Sequence, residues 1–299
     1  MPVLFTSLLF LLLAFSPSLA RDDARLAYII NIETYEHPEG PVKRGSGADT
    51  MADAFAGFGY TVQRYNDIKK WEFEGVLKEI YADSKGAEAA IVYVSSFAVN
   101  KGERNAILPS DALSGGTGNL LSRAVEANDI VSAPQARLLN MIILDTPEDA
   151  RAALGLAEAD GFSAYLEVKA PLSPNRLAVN TSTAPNEIYP RLTPMSTPLT
   201  YARNFKLFFG RKERTAAEFL RKVSISVFYD SSSKQFPAVS GELDKPYMLV
   251  HKNEVSDITA WLKIQAKPKA ESFEQFIQQF PTSIYIPFAR QRLKELQAQ

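Results

Sequence analysis

Two histidines, His37 and His251, are the only imidazoles in this chain of 299 residues, and cysteine is absent. Without thiols there are no disulfides, no thiolate metal sites, no lipid-modified N-terminal cysteine and no sulfur nucleophile. Two imidazoles far apart in sequence do not make a multi-histidine metal centre, so no metal or other cofactor is expected. Chemistry is left to carboxylates and hydroxyls. Asp145, Glu148 and Asp149 cluster behind an apolar run and could hold a cation, although acidic residues also suit the first turn of a helix. Ser114-Gly115-Gly116-Thr117-Gly118 is glycine-rich, but no Gly-Lys-Ser/Thr follows it, so an ordinary connection accounts for it better than a nucleotide cradle. Asn180-Thr181-Ser182 matches a glycosylation sequon inside an expected strand.

The elements that position these groups alternate between strand and helix periods. Residues 26–32 form a continuous apolar run, as in a strand buried on both faces, and a loop over 38–47 follows. Met51, Phe55 and Phe58 then mark a helix stopped by Gly59, and Tyr60-Thr61-Val62 starts a second strand. Helical spacing returns over 71–81 through Phe73, Val76, Leu77 and Ile80. Residues 89–94 and 140–144 read as third and fourth buried strands with a helix over 120–125 between them. This succession implies a mainly parallel sheet with helices on both faces. Function in such sheets sits in loops beyond the carboxyl ends of strands, here 95–102 and 145–151.

Further along, residues 170–198 are rich in Pro, Ser, Thr and Asn around a strand-like run at 176–180, and a helix is expected over 198–209. The alternation of 223–228 reads as a strand, and 247–250 as a short one. Lys267-Pro268-Lys269 looks like a linker or turn. Phe273, Phe276, Ile277 and Phe280 stripe a helix ended by Pro281, and Ala289, Leu293 and Leu296 stripe the next, a helical hairpin too small to be stable alone.

Residues 3–15 are almost purely apolar, and Ser18-Leu19-Ala20 offers small residues where a signal peptidase reads them. A run of about 13 residues gives a helix of roughly 20 Å, short of the roughly 30 Å hydrocarbon core. Residues 1–20 are thus expected to be a signal peptide, although no Lys or Arg precedes the run and an uncleaved anchor is the alternative. An exported chain without cysteine points to a bacterial envelope, periplasmic or secreted, with no stable membrane span. Thirty-three basic against thirty-four acidic side chains leave no broad field for nucleic acid or anionic membrane.

In this order of elements, several short motifs resemble the caspase/metacaspase clan, especially its bacterial caspase-like domains. Tyr28-Ile29-Ile30-Asn31, Tyr35, Met51 and Gly59-Tyr60 fall where that family has its first strand and helix. The stretch from Arg104-Asn105-Ala106-Ile107-Leu108 through Pro109-Ser110-Asp111-Ala112 is similar to the family segment after the catalytic histidine. Arg176-Leu177-Ala178-Val179-Asn180 through Thr181-Ser182-Thr183-Ala184-Pro185 resembles the strand opening the smaller half, and Gln235-Phe236-Pro237 the Gln-x-Pro before its final strand. The resemblance implies a caspase-like three-layer α/β/α sandwich with a mostly parallel sheet, plus a C-terminal helical hairpin. The domain would cover 21–250, its large-subunit-like part running to about 170 and its small-subunit-like part over 171–250, with a helical tail over 251–299.

By the same resemblance, Tyr93-Val94-Ser95-Ser96-Phe97-Ala98 replaces a strand end that carries the family's histidine, putting Phe97 in the histidine position. Asp145-Thr146-Pro147 stands where the family has Asp-Ala-Cys, so Pro147 takes the nucleophile position. Phenylalanine moves no proton, and proline has neither a nucleophile nor an N–H for an oxyanion. The family's Asn-Asp, whose acid helps metacaspases bind basic substrates, falls at Ser46-Gly47. The resemblance therefore implies a pseudoenzyme whose vestigial cleft, bordered by Ser95, Ser96, Phe97, Ala98, Asp145, Thr146 and Pro147, binds a protein or peptide without cutting it. Pairing with another copy or a relative through the sheet edge is a further expectation. The alternative is a cysteine-independent hydrolase using Ser95 or Ser96, which needs a positioned base. His37 follows the first strand and could reach that sheet end, whereas His251 is expected at the exposed end of the last strand.

Overall fold

The computed structural model describes residues 23–146, 154, 156, 162–163, 175–181, 199–209, 215–233, 235–249, 257–281, 283 and 285–297. Its centre is a six-stranded sheet built from β1 (Arg25–Asn31), β4 (Thr61–Asn66), β5 (Ala89–Ser95), β9 (Leu139–Asp145), β11 (Arg176–Asn180) and β12 (Ala238–Glu242). Between these lie β2 (Thr34–Tyr35), β3 (Val42–Lys43), β6 (Ala98–Lys101), β7 (Arg104–Ile107), β8 (Val125–Glu126) and β10 (Phe162–Ser163) in two smaller sheets. The order across the main sheet is β12-β11-β9-β5-β1-β4, and only β12 runs antiparallel to its neighbour.

Alternation along the strands feeds two cores. One face carries Tyr28, Ile30, Val92, Val94, Ile142 and Leu144 against α2 (Lys70–Ser84) and α3 (Ala127–Ser132). The other sets Ala27, Ile29, Ile91, Tyr93, Met141 and Ile143 against α1 (Ala48–Ala56), α4 (Leu199–Phe208) and α5 (Ala216–Asp230). Strands covered on both sides lack a polar face, which is why β5 and β9 read as continuous apolar runs. The result is the expected three-layer α/β/α sandwich. Gly59, at φ 78°, turns the chain after α1 so that the Tyr60 N–H donates to the Phe55 carbonyl at 3.2 Å.

Four local expectations are corrected. Residues 223–228 belong to helix α5, whose buried stripe is Phe219, Leu220, Val223, Ser224 and Val227. The signal was at its start, where Thr215 and Glu218 form a capping box, and the six-residue alternation was a coincidence of composition. The last strand is β12, after Gln235-Phe236-Pro237, while in the described part of 247–250 Met248 makes only an isolated bridge to Thr215. Over 120–125 there is a 3₁₀ turn at Leu120–Ser122 and the start of β8, and the helix is α3. Arg123 draws the chain inward here, donating to the carbonyls of Ala112, Gly116 and Gly118. The expected loop over 95–102 is largely the β6–β7 hairpin, with Gly102 at φ 63° in its turn.

The tail contains three described helices, α6 (Asp257–Ala266), α7 (Ala270–Gln279) and α8 (Ile286–Gln297). The Lys267-Pro268-Lys269 turn separates the first two. The expected stripe holds, since Phe273 and Phe276 are buried with Ile286 and Ala289. Trp261 completes this small core by stacking on Tyr285, centroids 5.2 Å apart. The extra helix supplies apolar area that a bare hairpin lacks.

Candidate functional site at the carboxyl end of the sheet

Parallel register brings Asn31, Ser95 and Asp145 into one row at the ends of β1, β5 and β9. The chain then continues differently from each strand, and those continuations fill the space above the row. After β1, the β2–β3 ribbon carries Tyr35 and leads into Arg44. After β5 come Ser96 and Phe97, and after β9 comes Thr146. Thr181, which follows β11, lies beside Asp145 and Thr146.

Two hydrogen-bond networks form there. In the first, the Phe97 N–H donates to the Tyr35 phenol oxygen at 2.7 Å. Tyr35 Oη lies 3.0 Å from Ser96 Oγ, and Ser96 Oγ–H has the Leu108 carbonyl at 2.7 Å and the Phe97 carbonyl at 2.9 Å. A hydroxyl has one proton, so with Ser96 donating to a carbonyl, Tyr35 must donate to Ser96. The Phe97 ring packs against Tyr35, centroids 5.1 Å apart, and the Arg44 guanidinium lies 5.5 Å from its centre.

The second network is built on Asp145. Its carboxylate accepts from Tyr93 Oη and, at 2.8 Å, from Thr181 Oγ1, which itself accepts the Thr146 N–H at 3.0 Å. Gln235 Nε2 donates to the Thr181 carbonyl and ties in the segment before β12. Arg44 Nη1 donates to Ser95 Oγ at 2.8 Å. Burial, then the Asp145 carboxylate, push the Tyr93 phenol well above its ordinary range, with Arg44 and Ser95 pulling weakly the other way. Burial and Asp145 also raise the Tyr201 phenol, which extends from α4.

These positions are interior. Ser95, Ser96 and Asp145 are fully buried, and Thr146, Phe97 and Ala98 are 2%, 3% and 4% exposed. A serine nucleophile has to reach substrate and hand its proton to a base. Ser95 receives a hydrogen bond from a cation, and Ser96 is spent on a phenol and backbone carbonyls. His37 is half-buried beside a shallow groove of about 570 Å³, lined also by Pro38, Val42, Leu113 and Thr117, and its Nδ1 accepts the Glu39 N–H at 3.2 Å. Among the described residues no acidic or histidine cluster has metal-site geometry. The glycine-rich segment directs carbonyls at Arg123, the opposite polarity from a phosphate cradle. Pro147, Glu148, Asp149, Ser182 and His251 lie outside the described residues.

Two contributors escaped sequence reasoning. Arg44, in a Gly- and Pro-containing loop, reads as a surface charge until the fold buries it. Thr181 carried a signal only as part of a sequon and of the stretch that resembles the family's strand opening the smaller half, with nothing to mark it as a partner of Asp145. Tyr35 was legible through the family resemblance, though not as the acceptor for the Phe97 N–H.

Comparison with known proteins bears on the family and the fold. The caspase domain family model matches residues 24–248. The structure of pro-sf-caspase-1 is similar at a TM-score of 0.53 and 14% identity, over 85% of this chain and 100% of that one. The Drosophila initiator caspase Dronc gives a TM-score of 0.48 at 10% identity, over 76% and 84% of the two chains. A search of curated proteins returned no match. Since the family model covers most of the chain, this chain belongs to the caspase-domain family.

Proposed function

We propose that this chain is an exported, non-catalytic caspase-family protein that acts by binding a protein or peptide. The observation that carries the reading is a caspase-family domain in a chain with no cysteine anywhere in its 299 residues. The buried Phe97 at the β5 end and the committed Ser95 and Ser96 hydroxyls support it. The apolar run at residues 3–15 motivates export to the envelope; among the described residues no helix is long and apolar enough to cross a membrane.

Because the described residues of the expected cleft are buried, the binding surface we favour is the sheet edge. Among the described residues β12 is the last strand of the sheet and pairs only with β11, with Val239 37% exposed. Helix α5 packs on that strand and shows Ile225 and Tyr229 to solvent. An open strand with apolar neighbours accepts an extended segment by strand addition. The test incubates the purified protein with a broad peptide and ester panel and measures partner capture from envelope extract with wild type and Val239→Lys. The expected outcome is no turnover, and capture that Val239→Lys reduces. Turnover abolished by Ser95→Ala or Ser96→Ala would establish the hydrolase instead.

A further inference from the structure

Helix α2 buries Phe73, Val76, Leu77 and Ile80 and turns its other side outward. On that side Trp71, Glu74, Lys78 and Tyr81 fall at i, i+3, i+7 and i+10, which sets them in a single stripe along the helix. Trp71 is 70% exposed and Tyr81 52%, a large aromatic area to leave in water. Gly75 flanks the stripe at mid-helix, where glycine weakens a helix relative to alanine. Nothing inside the molecule requires it, since a Cβ there would meet no atom within 4 Å. Glu74 reaches Lys70 only at 3.8 Å.

We infer that this face docks a second copy of the same chain, α2 against α2, antiparallel across a two-fold axis. The stripe reads aromatic, acid, base, aromatic. Reversed against itself, it sets Trp71 opposite the second copy's Tyr81 and Glu74 opposite the second copy's Lys78, and two-fold symmetry makes each pair twice. An unrelated partner has no reason to match that order; the stripe's own reversal matches it at all four positions. Gly75 lies close to the axis, where a missing side chain lets the two helices approach. One helix pair buries less than the roughly 800 Å² per partner of a standard interface, so the dimer is a weak one that forms with rising concentration.

Sedimentation velocity of the full chain over a concentration series tests this. The expected result is a monomer–dimer equilibrium. Lys78→Glu, which places like charges at both central contacts, weakens it by at least about tenfold. Adding Glu74→Lys to Lys78→Glu restores complementarity and with it the wild-type equilibrium. The chain has no cysteine, so Gly75→Cys is a clean reporter that should yield disulfide-linked dimer under mild oxidation. A monomer at every concentration overturns the inference, and a dimer without the Gly75→Cys cross-link overturns the antiparallel geometry. A dimer indifferent to Lys78→Glu but broken by Val239→Lys also overturns it, and leaves the β12 edge as the site of association. Loss of dimer in Lys78→Glu with partner capture retained supports it and separates it from the edge reading.

Discussion

Asp145 and Val239 belong to one sheet, yet the first is fully buried at a strand end and the second is 37% exposed on an edge. Around Asp145, donors from β5 and from the segment after β11 converge on one carboxylate, and the neighbouring hydroxyls of Ser95 and Ser96 are engaged in the same way. Along β12, among the described residues, only β11 pairs with the backbone. A buried polar group needs its partners to exist at all, whereas an edge left open is free to recruit one. Under the function proposed above, these strand ends serve as structural joints and association belongs to the sheet edge.

The largest effect that would break this contrast comes from Asp145→Ala. Removing the carboxylate strands the Tyr93 and Thr181 hydroxyls in the interior, each left unsatisfied at roughly 1–3 kcal/mol, so a loss of about 4 kcal/mol is expected in urea unfolding. A loss under about 1 kcal/mol would mean that the site is a cleft open to water and not a joint.

Alkaline pH sharpens the same point. Tyr93 and Tyr201 are raised above the unfolded value, so on unfolding above about pH 10 they release protons that the folded state retains. Their contribution is complete below that pH and is lost as pH rises beyond it, at about 1.4 kcal/mol per pH unit for each phenol. Among the described residues Tyr201 Oη has no hydrogen-bond partner, so Tyr201→Phe should leave neutral stability almost intact while removing its share of the alkaline slope. An unchanged slope would place that phenol in contact with solvent.

Tyr35→Phe is expected to have a smaller effect. It leaves the Phe97 N–H without its acceptor and costs about 1–3 kcal/mol, measured against wild type by thermal or urea unfolding. At the other pole, Val239→Lys should shift stability by no more than about 0.5 kcal/mol, since the side chain already faces water. If Val239→Lys unfolds the protein as readily as Asp145→Ala, the edge is part of the core and the contrast fails.

Much of the fold was legible because doubly covered strands have to be apolar throughout. The runs at 26–32, 89–94 and 140–144 could not be solvent-facing, and the Phe73–Ile80 stripe could belong only to a helix. Short-range patterns failed where two periods coincide. Val223, Ile225 and Val227 alternate like a strand, but Phe219, Leu220, Val223 and Val227 also share one face of a helix, and the burying sheet surface chose between them. The three helices of the tail show the same limit, since no pattern marked α6 in the sequence and Trp261 gains its place from contacts with Phe273, Phe276 and Tyr285.

The residue types determined by themselves that no thiol chemistry is available, that the chain carries no strong net field and that apolar strands alternate with helices. Those conclusions need only composition and period. The tertiary structure decided that Arg44 meets Ser95, that Tyr35 caps Phe97, and that Asp145 is a joint between Tyr93 and Thr181. Each of these pairs, separated by 36 to 62 positions, is brought together by sheet order and crossover connections. Hydrogen bonds of that range leave no local pattern in a sequence, because either partner alone satisfies the same polarity in water.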